Sequence, residues 1–320
     1  MKRPVLCIAL LLMPVLCGPL RSQRAAGTEP PAVPPAVASP VVGRGECVIA
    51  GPAMGTTYRI TLASPVPGMS RGEVHREMEA VLARIDAAAS TWRPDSDVSL
   101  FNRSPAGEWV PISTDLATLV EIARIAHDET NGCFDITVGP LLDLWSNAEQ
   151  SGTKPPQAAI DAAMAKVGMA ALELRHTPSG TRELRKTRTG LTVTLSGIGP
   201  GYAVDRLGER LSQLGSAGHL VVLGGEARAW GTRADGRPWE LSIMRLPNDS
   251  ADGVSSSLTL AAGEAVAFST IHPGRSPIDP RTGKPVDHAM ATVMARGQTC
   301  AIADALAVAA AISMPERTAH

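Results

Sequence analysis

The stretch that decides the fold is residues 191–214, LTVTLSGIGPGYAVDRLGERLSQL. Alternation of apolar and polar residues over Leu191–Leu195 predicts a strand, and the segment from Tyr202 to Leu214 predicts a helix. The glycine-rich turn between them could present backbone N–H groups and a helix N-terminus to a phosphate. Its spacing matches neither the dinucleotide-binding G-x-G-x-x-G motif nor the P-loop. Taken alone, it is more typical of a tight strand-to-helix turn that needs glycine at positive φ.

Periodic patterns along the rest of the chain predict helices and strands in mixed order. The predicted helices are Glu73–Ala89, Thr114–Thr130, Gln157–Val167 and Gln298–Ile312, and the predicted strands are Tyr58–Ala63, Leu220–Leu223, Trp239–Met244 and Ser257–Leu260. These elements form no long regular strand–helix–strand series, and no internal repeat is evident. The fold class is therefore predicted to be mixed α/β, closer to α+β.

Residues 1–26 predict a signal peptide. Two basic residues precede the apolar run Val5–Leu20, which is short for a membrane span, and small residues follow around Ala25. Cys17 follows a leucine rather than a small residue, so a lipid anchor there is poorly supported but stays open. No later segment is long and apolar enough to cross a membrane. We therefore expect an exported protein of the periplasm or cell envelope, which meets the membrane only through such an anchor.

Residues 27–45 predict a tether, and residues 46–320 predict the folded domain. The tether is rich in proline, alanine and valine, which favour an extended chain with no capacity to pack. The roughly 270 residues that remain suit one large domain or two tightly joined halves. With 30 basic and 31 acidic residues, the net charge is −1, so nothing electrostatic points to nucleic acid or an anionic membrane.

The reactive residue types form few recognisable site motifs. Three cysteines lie beyond the signal peptide, Cys47, Cys133 and Cys300, and their number and spacing indicate neither a disulfide framework nor a zinc site. One pair could still form in an oxidising compartment. Metalloprotease, EF-hand and α/β-hydrolase motifs are absent from the sequence, so those classes have no support. The segment Ile278–Pro285 predicts a turn, and its charged residues could line a polar site.

Asp304 stands out because it lies in the most apolar predicted helix of the chain. A carboxylate there is costly unless it is paired, caps a helix or binds a cation. The free N–H groups and the dipole of a helix N-terminus would satisfy it. A hard cation such as Mg²⁺ would do so equally well. The sequence alone does not separate these two roles.

Seven short segments carry a more specific signal when they are taken in order. They are AMGTTY (53–58), STWRPDSDVSLFN (90–102), CFDITVGPL (133–141), LSGI with GYAVDR (195–206), LGGE with DGRPW (223–239), IDPRTGKPV (278–286) and ADALA (303–307). In this order they resemble the motifs of the ApbE family, the FAD:protein FMN transferases. The resemblance covers the chain from about residue 50 to its C-terminus.

This resemblance implies a fold, a reaction and a set of site residues. The fold would be a single large domain of two interlocked α/β halves. The reaction would use Mg²⁺ to move FMN from FAD to a threonine or serine of an acceptor protein outside the cytoplasm, with AMP as the leaving group. Carried over by position, the FAD contacts would be Met54, Trp92, Cys133, Phe134, Asp135, Thr194, Pro200 and Ile278. The metal would be bound by the Gly197 carbonyl and by Asp304, the catalytic carboxylate.

Several positions depart from the family pattern. The resemblance leads us to expect aspartate at Thr194, lysine at Pro200 and histidine at Ser276. It also leads us to expect an acidic residue near Ala301 and a hydroxyl residue at Val308, both on the face of Asp304. The altered residues predict weaker Mg²⁺ binding and less neutralisation of phosphate charge.

Two functions therefore remain open at this stage. The first is an FMN transferase whose metal site recruits ligands from elsewhere, such as water or Asp279. The second is a non-catalytic relative that keeps the fold as a flavin-binding or partner-binding protein. The retained outer motifs favour a shared fold and flavin, and they make an extracellular binding domain without flavin the weakest alternative.

Overall fold

The computed structural model describes residues 38–43, 45–244, 254–271, 276–286 and 291–314. Their helices are α1 (Arg71–Ala89), α2 (Asp97–Arg103), α3 (Thr114–Glu129), α4 (Gly139–Ser151), α5 (Gln157–Met164), α6 (Gly199–Gln213) and α7 (Cys300–Ser313). Their strands are β1 (Ala38–Pro40), β2 (Cys47–Ala53), β3 (Thr56–Leu62), β4 (Val110–Ile112), β5 (Leu172–His176), β6 (Arg182–Lys186), β7 (His219–Leu223), β8 (Glu226–Trp230), β9 (Trp239–Met244), β10 (Val254–Leu260), β11 (Ala265–Ile271), β12 (Ile278–Asp279), β13 (Lys284–Pro285) and β14 (Ala291–Gly297). The mixed α/β fold class is confirmed.

A six-stranded antiparallel sheet forms the centre, with strand order β14-β11-β8-β7-β3-β2. Its centre pairs distant parts of the chain, since Tyr58 of β3 lies opposite Leu223 of β7. Helices α1 to α5 and the small sheet β4-β6-β5 lie between these two strands in sequence. A single hydrophobic cluster extends from Ile49 to Ile312, so N-terminal and C-terminal segments share one core.

Helices α6 and α7 pack on this sheet and on each other. The buried face of α6 carries Tyr202, Val204, Leu207 and Leu211 at helical spacing, as the amphipathic pattern requires. Ten of the fourteen residues of α7 are buried, which agrees with its almost wholly apolar sequence. The two helices bring their N-terminal ends together beside the hairpin β7–β8, and this junction positions the site.

The predicted strand Leu191–Leu195 is wrong. The segment keeps the expected alternation, with Leu191, Val193 and Leu195 buried, but it belongs to no sheet. Val193 exchanges hydrogen bonds with the side-chain amide of Asn102 instead, donating to Oδ1 at 2.7 Å and accepting from Nδ2 at 2.9 Å. The Thr194 N–H donates to the Ile136 carbonyl at 2.8 Å. A side chain and an isolated backbone contact thus replace the partner strand.

Regular structure begins nearer the N-terminus than the sequence patterns predict. Strand β1 lies inside the predicted tether and pairs antiparallel with β9, Ser39 opposite Ser242. The described fold therefore begins at least eight residues before the predicted start at Glu46, because a proline-rich segment can still add an edge strand. The predicted signal peptide lies outside the described residues. Within the described ranges, no helix has the length and apolarity needed to span a membrane, and Cys47, Cys133 and Cys300 are free.

Candidate functional site

Helices α6 and α7 cap each other with one aspartate each. Asp205 of α6 accepts the N–H groups of Cys300 and Ala301, at 2.9 and 3.0 Å, in the first turn of α7. Asp304 of α7 accepts the Gly201 N–H, at 3.0 Å, in the first turn of α6. Free N–H groups at a helix N-terminus need such acceptors, and a negative charge there also suits the helix dipole. The capping role considered for Asp304 is therefore real, but the helix it caps is α6.

The glycines of the turn do not adopt positive φ; they allow neighbouring segments to pack closely. Gly197, Gly199 and Gly201 all lie outside the positive-φ glycines of the described chain, so that part of the prediction is wrong. A Cβ at Gly201 would lie 2.3 Å from the Cys300 carbonyl oxygen, a contact that backbone atoms do not tolerate. Glycine at this position lets the start of α6 approach α7, which makes the mutual capping possible.

A cavity of about 290 Å³ opens beside this junction. It is lined by the segments that follow α3, precede α6 and enclose β12, together with the C-terminal half of α7. Six of the predicted site residues line it: Cys133, Phe134, Asp135, Thr194, Gly197 and Ile278. The fold thus brings together residues that are up to 145 positions apart in sequence.

The segment Cys133–Asp135 forms one wall of the cavity, and hydrogen bonds to neighbouring residues hold it in position. The Phe134 N–H donates to Thr130 Oγ1 at 3.1 Å, and His127 Nδ1 lies 3.0 Å from the Phe134 carbonyl oxygen, which accepts. Asp135 Oδ1 accepts from both the N–H and the hydroxyl of Thr137, at 2.7 and 2.6 Å. Asp135 therefore uses one carboxylate oxygen internally and acts as a positioning residue. His127 was not predicted as a site residue, because its only sequence signal is its place in the last turn of a predicted helix.

The opposite wall of the cavity is polar along the segment Thr194–Gly197 and apolar where α7 lines it. Thr194 Oγ1 and Ser196 Oγ lie 3.3 Å apart on the cavity side. A Cβ at Gly197 would lie 3.1 Å from Val308 and 3.3 Å from Phe134, so glycine keeps these two side chains in contact across the turn. Val308 thus presents methyl groups where the family pattern predicts a hydroxyl.

The remaining predicted residues lie at different distances from the cavity. Met54 has φ +49 in the turn between β2 and β3, and its Cε lies 3.6 Å from where a Cβ would stand at Gly199, over the start of α6. Pro200 lies in the first turn of α6 and supplies no charge. Trp92 is 94% exposed and does not line the cavity, so its contact with FAD stays a prediction.

The turn around β12 and β13 closes the cavity near Ile278. Asp279 accepts from the backbone N–H of Arg281 at 2.8 Å and forms a two-point ion pair with its guanidinium, at 2.9 and 2.8 Å. This pairing lowers the pKa of Asp279 against the opposing effect of its burial. Trp145 Nε1 donates to the Gly283 carbonyl at 2.8 Å. Asp279 is thereby committed to its own turn, which argues against its use as a substitute metal ligand.

A second buried carboxylate, Glu226, lies near Asp304. Glu226 is 8% and Asp304 6% exposed. Burial raises the pKa of Asp304 to about 7, a change that the Gly201 N–H opposes and the charge of Asp205 reinforces. Burial and then the charge of Asp304 raise the pKa of Glu226 well above its usual value. Glu226 lies in the motif LGGE but was not predicted as a site residue, because a glutamate at the start of a strand is usually solvated.

Comparison with known proteins agrees with this arrangement. A model of the ApbE family matches residues 54–320. The FAD:protein FMN transferase of Salmonella typhimurium is 32% identical over 268 residues, which cover 80% of this chain and 75% of that protein. The enzyme of the same name from Haemophilus influenzae is 30% identical over 270 residues, covering 81% and 78%.

Solved structures of this kind have the same fold. The flavinyl transferase ApbE of Pseudomonas stutzeri, in its apo form, matches with a TM-score of 0.73 and 33% identity over 85% of this chain and 86% of that one. The flavin transferase ApbE of Vibrio cholerae matches with a TM-score of 0.70 and 29% identity, over 83% and 86%. The family match covers more than half of the chain, and the similarity extends through every segment that builds the cavity. This chain therefore belongs to the ApbE family.

Proposed function

We propose that this protein is an FAD:protein FMN transferase that moves FMN from FAD to a threonine or serine hydroxyl of an acceptor protein. The observation that carries the proposal is the junction of α6 and α7, where the buried carboxylate of Asp304 lies at a helix N-terminus beside a cavity lined by six of the predicted site residues. Relatives named FAD:protein FMN transferase support the same activity.

The reaction is a transfer at phosphorus. The acceptor hydroxyl oxygen attacks the phosphorus on the FMN side of the FAD diphosphate and forms a phosphoester. The bond to the bridging oxygen breaks, AMP leaves with that oxygen, and the hydroxyl proton passes to solvent. In such transfers the protein contributes mainly by positioning the groups and stabilising their charge.

The residues present fit a Mg²⁺ ion. Asp304 Oδ2 is occupied by the Gly201 N–H, and no hydrogen bond within the described ranges reaches Oδ1, so one oxygen of a buried carboxylate is left to bind a cation. The Gly197 carbonyl is the second protein ligand that the family pattern predicts. Bound there, Mg²⁺ would neutralise charge on the diphosphate. The described residues hold no cluster of three or more histidine, cysteine, aspartate or glutamate side chains arranged for a metal.

The chain's own residues would hold FAD on the walls of the cavity. Phe134 and Ile278 offer apolar surface, and Thr194 and Ser196 offer hydroxyl groups to polar atoms of the nucleotide. Met54 would cover the start of α6, and Trp92 would add an aromatic face from its exposed turn. With proline at position 200, the dipole of α6 and these hydroxyls replace the positive charge of a lysine.

The proposal includes a place of action outside the cytoplasm. Its support is the N-terminal pattern of basic residues, an apolar run and small residues over residues 1–26. Fractionation of cells that express the full chain, with mass analysis of the mature N-terminus, tests it. We expect the mature protein in the periplasmic or envelope fraction. Full-length protein in the cytoplasm would contradict export.

The activity is tested with purified mature protein, FAD, Mg²⁺ and an acceptor domain from a flavinylated protein. We expect the acceptor to gain the mass of one FMN, and the gain to disappear with EDTA or in Asp304→Ala. An acceptor whose target threonine is replaced by valine is the matched control. Tight FAD binding without any mass gain would identify a flavin-binding relative that has lost its chemistry.

A further inference from the structure

The wall segment (residues 192–197) carries part of the cavity surface although it belongs to no sheet. Thr194, Ser196 and Gly197 of this segment line the cavity. Neighbouring strands fix the backbone of a strand through a ladder of hydrogen bonds, and an extended segment without that ladder needs other partners. The placement of these cavity residues therefore depends on the contacts that replace the ladder.

Asn102 of α2 supplies two of the replacement bonds. Its side-chain amide is bonded to both backbone polar groups of Val193, at 2.7 Å to the N–H and 2.9 Å to the carbonyl oxygen. A carboxamide suits this task because it carries an acceptor and a donor side by side, as the edge of a strand does. Val193 is buried, so its N–H and carbonyl could not turn to water if the amide were lost. Asn102 thereby fixes the backbone one residue before Thr194.

Lys186, the last residue of β6, ties α2 to the same segment. It is 2% exposed, and its ammonium donates to the Asn102 carbonyl at 2.8 Å and to the Leu191 carbonyl at 3.1 Å, just before the wall segment. The ammonium also lies 5.3 Å from the centre of the Phe101 ring. A buried ammonium is costly unless it is hydrogen-bonded, and this one bonds the backbone on both sides of the contact made by the Asn102 amide. Helix α2, strand β6 and the wall segment are therefore held together as one unit.

We propose that Asn102 is a positioning residue for FAD, whose amide holds the wall segment where the hydroxyl groups of Thr194 and Ser196 bind the nucleotide. These hydroxyl oxygens lie 3.3 Å apart on the cavity side. Asn102 does not line the cavity itself, so it acts through the backbone of Val193. Misplacing binding groups by about 1 Å is enough to weaken their interactions strongly. The inference rests on the proposed function for the identity of the ligand.

The test is FAD affinity, measured for the mature protein with Mg²⁺ present by the quenching of flavin fluorescence. We compare wild type with Asn102→Asp, which keeps the size and the acceptor for the Val193 N–H but places an oxygen against the Val193 carbonyl. If Asn102→Asp does not fold, Asn102→Ala is measured in its place. Leu260→Ala is the matched control for lost stability, because Leu260 is fully buried in a hydrophobic cluster that shares no residue with the cavity lining.

We expect Asn102→Asp to raise the dissociation constant of FAD by about tenfold or more, since two buried hydrogen bonds are disturbed. Leu260→Ala should melt at a lower temperature and keep FAD affinity within about twofold of wild type, because distant sites act independently. Hydrogen–deuterium exchange supplies a second readout that a general loss of stability would not move. Asn102→Asp should speed exchange selectively in a peptide that spans the wall segment, and Leu260→Ala should not.

An FAD affinity of the folded Asn102 variant no lower than that of Leu260→Ala would overturn the proposal, as would exchange that rises evenly along the chain. Failure of the proposed function is a separate outcome. If wild type binds FAD in an Asn102-dependent way but transfers no FMN, the positioning role stands and the transferase assignment fails. Normal transfer together with normal FAD affinity in Asn102→Asp would show the reverse.

Discussion

Asp205 and Asp304 cap each other's helices. Asp205 of α6 accepts two N–H groups from the first turn of α7, and Asp304 of α7 accepts one from the first turn of α6. This mutual capping fixes the start of α6 against the start of α7. It therefore positions the Gly197 turn, one wall of the cavity and the free oxygen of Asp304 in a single rigid unit. Structural and chemical roles differ between the two aspartates, and substitutions can separate them.

Asp205→Ala should destabilise the protein by about 3–5 kcal/mol, because it leaves two buried N–H groups of α7 without an acceptor and the half-buried Arg228 without its partner. Urea unfolding measures the change. Asp161→Ala, on the exposed face of α5, is the control and should change the free energy of unfolding by less than about 0.5 kcal/mol. If both variants lost less than about 0.5 kcal/mol of unfolding free energy, the cap formed by Asp205 would contribute little to stability.

Asp304→Asn should lower the rate of FMN transfer by about 100-fold or more while the protein stays folded. The amide oxygen can still accept the Gly201 N–H, but a neutral amide binds Mg²⁺ poorly. The rate of acceptor labelling under saturating FAD and the far-ultraviolet circular dichroism spectrum are measured together. A folded variant with the wild-type rate would remove Asp304 from the chemistry.

Val308→Thr should lower the Mg²⁺ concentration needed for half-maximal transfer by about threefold or more, because it adds a hydroxyl one helical turn from Asp304. Val204→Thr, in the buried face of α6, is the matched control. It should lose about 1–3 kcal/mol of stability and leave the Mg²⁺ requirement unchanged. An unchanged or higher requirement in Val308→Thr would show that this face of α7 does not contact the ion.

The free energy of unfolding should fall at mildly acidic pH because of His219. This imidazole is buried between α6 and β7, where Nε2 lies 3.0 Å from the Gly208 carbonyl oxygen, and burial lowers its pKa to about 4. The unfolded chain, with a pKa near 6.5, binds the proton first, so the stability present above pH 6.5 is lost as pH falls towards 4. The loss should approach about 3 kcal/mol. Urea unfolding at several pH values should show a smaller loss in His219→Gln, and an equal loss would exclude this origin.

Trp92 should become protected when FAD binds. It is 94% exposed without ligand, so iodide should quench its fluorescence efficiently. FAD should reduce that iodide-accessible fraction in wild type, and Trp92→Phe should lack the accessible component from the start. Unchanged iodide access at saturating FAD would place Trp92 outside the flavin site.

The sequence predicts this fold best where local signals and packing agree. Helix α3 begins at Thr114 as predicted, after Ser113, whose side chain accepts the Leu116 N–H, and β9 has the predicted bounds. The prediction failed at Leu191–Leu195, because its hydrogen-bond partners come from Asn102 and Ile136, distant residues that local alternation does not reveal.

The candidate site was predictable through its motifs and not through its packing. The family resemblance predicted six site residues that do line one cavity. It did not show that Asp304 caps another helix or that Glu226 is buried beside it, since both facts depend on how α7 lies on β8. His127 was missed for the same reason, because its contact with Phe134 arises only when α3 ends beside the cavity.

The most direct test of the central claim is the ratio of AMP released to flavin attached, measured in one reaction with FAD, Mg²⁺ and the acceptor domain. We expect one AMP for each FMN bound to the acceptor, with neither product formed by Asp304→Ala. AMP without attached flavin would instead identify a diphosphate hydrolase, and it would contradict the transfer proposed for this cavity.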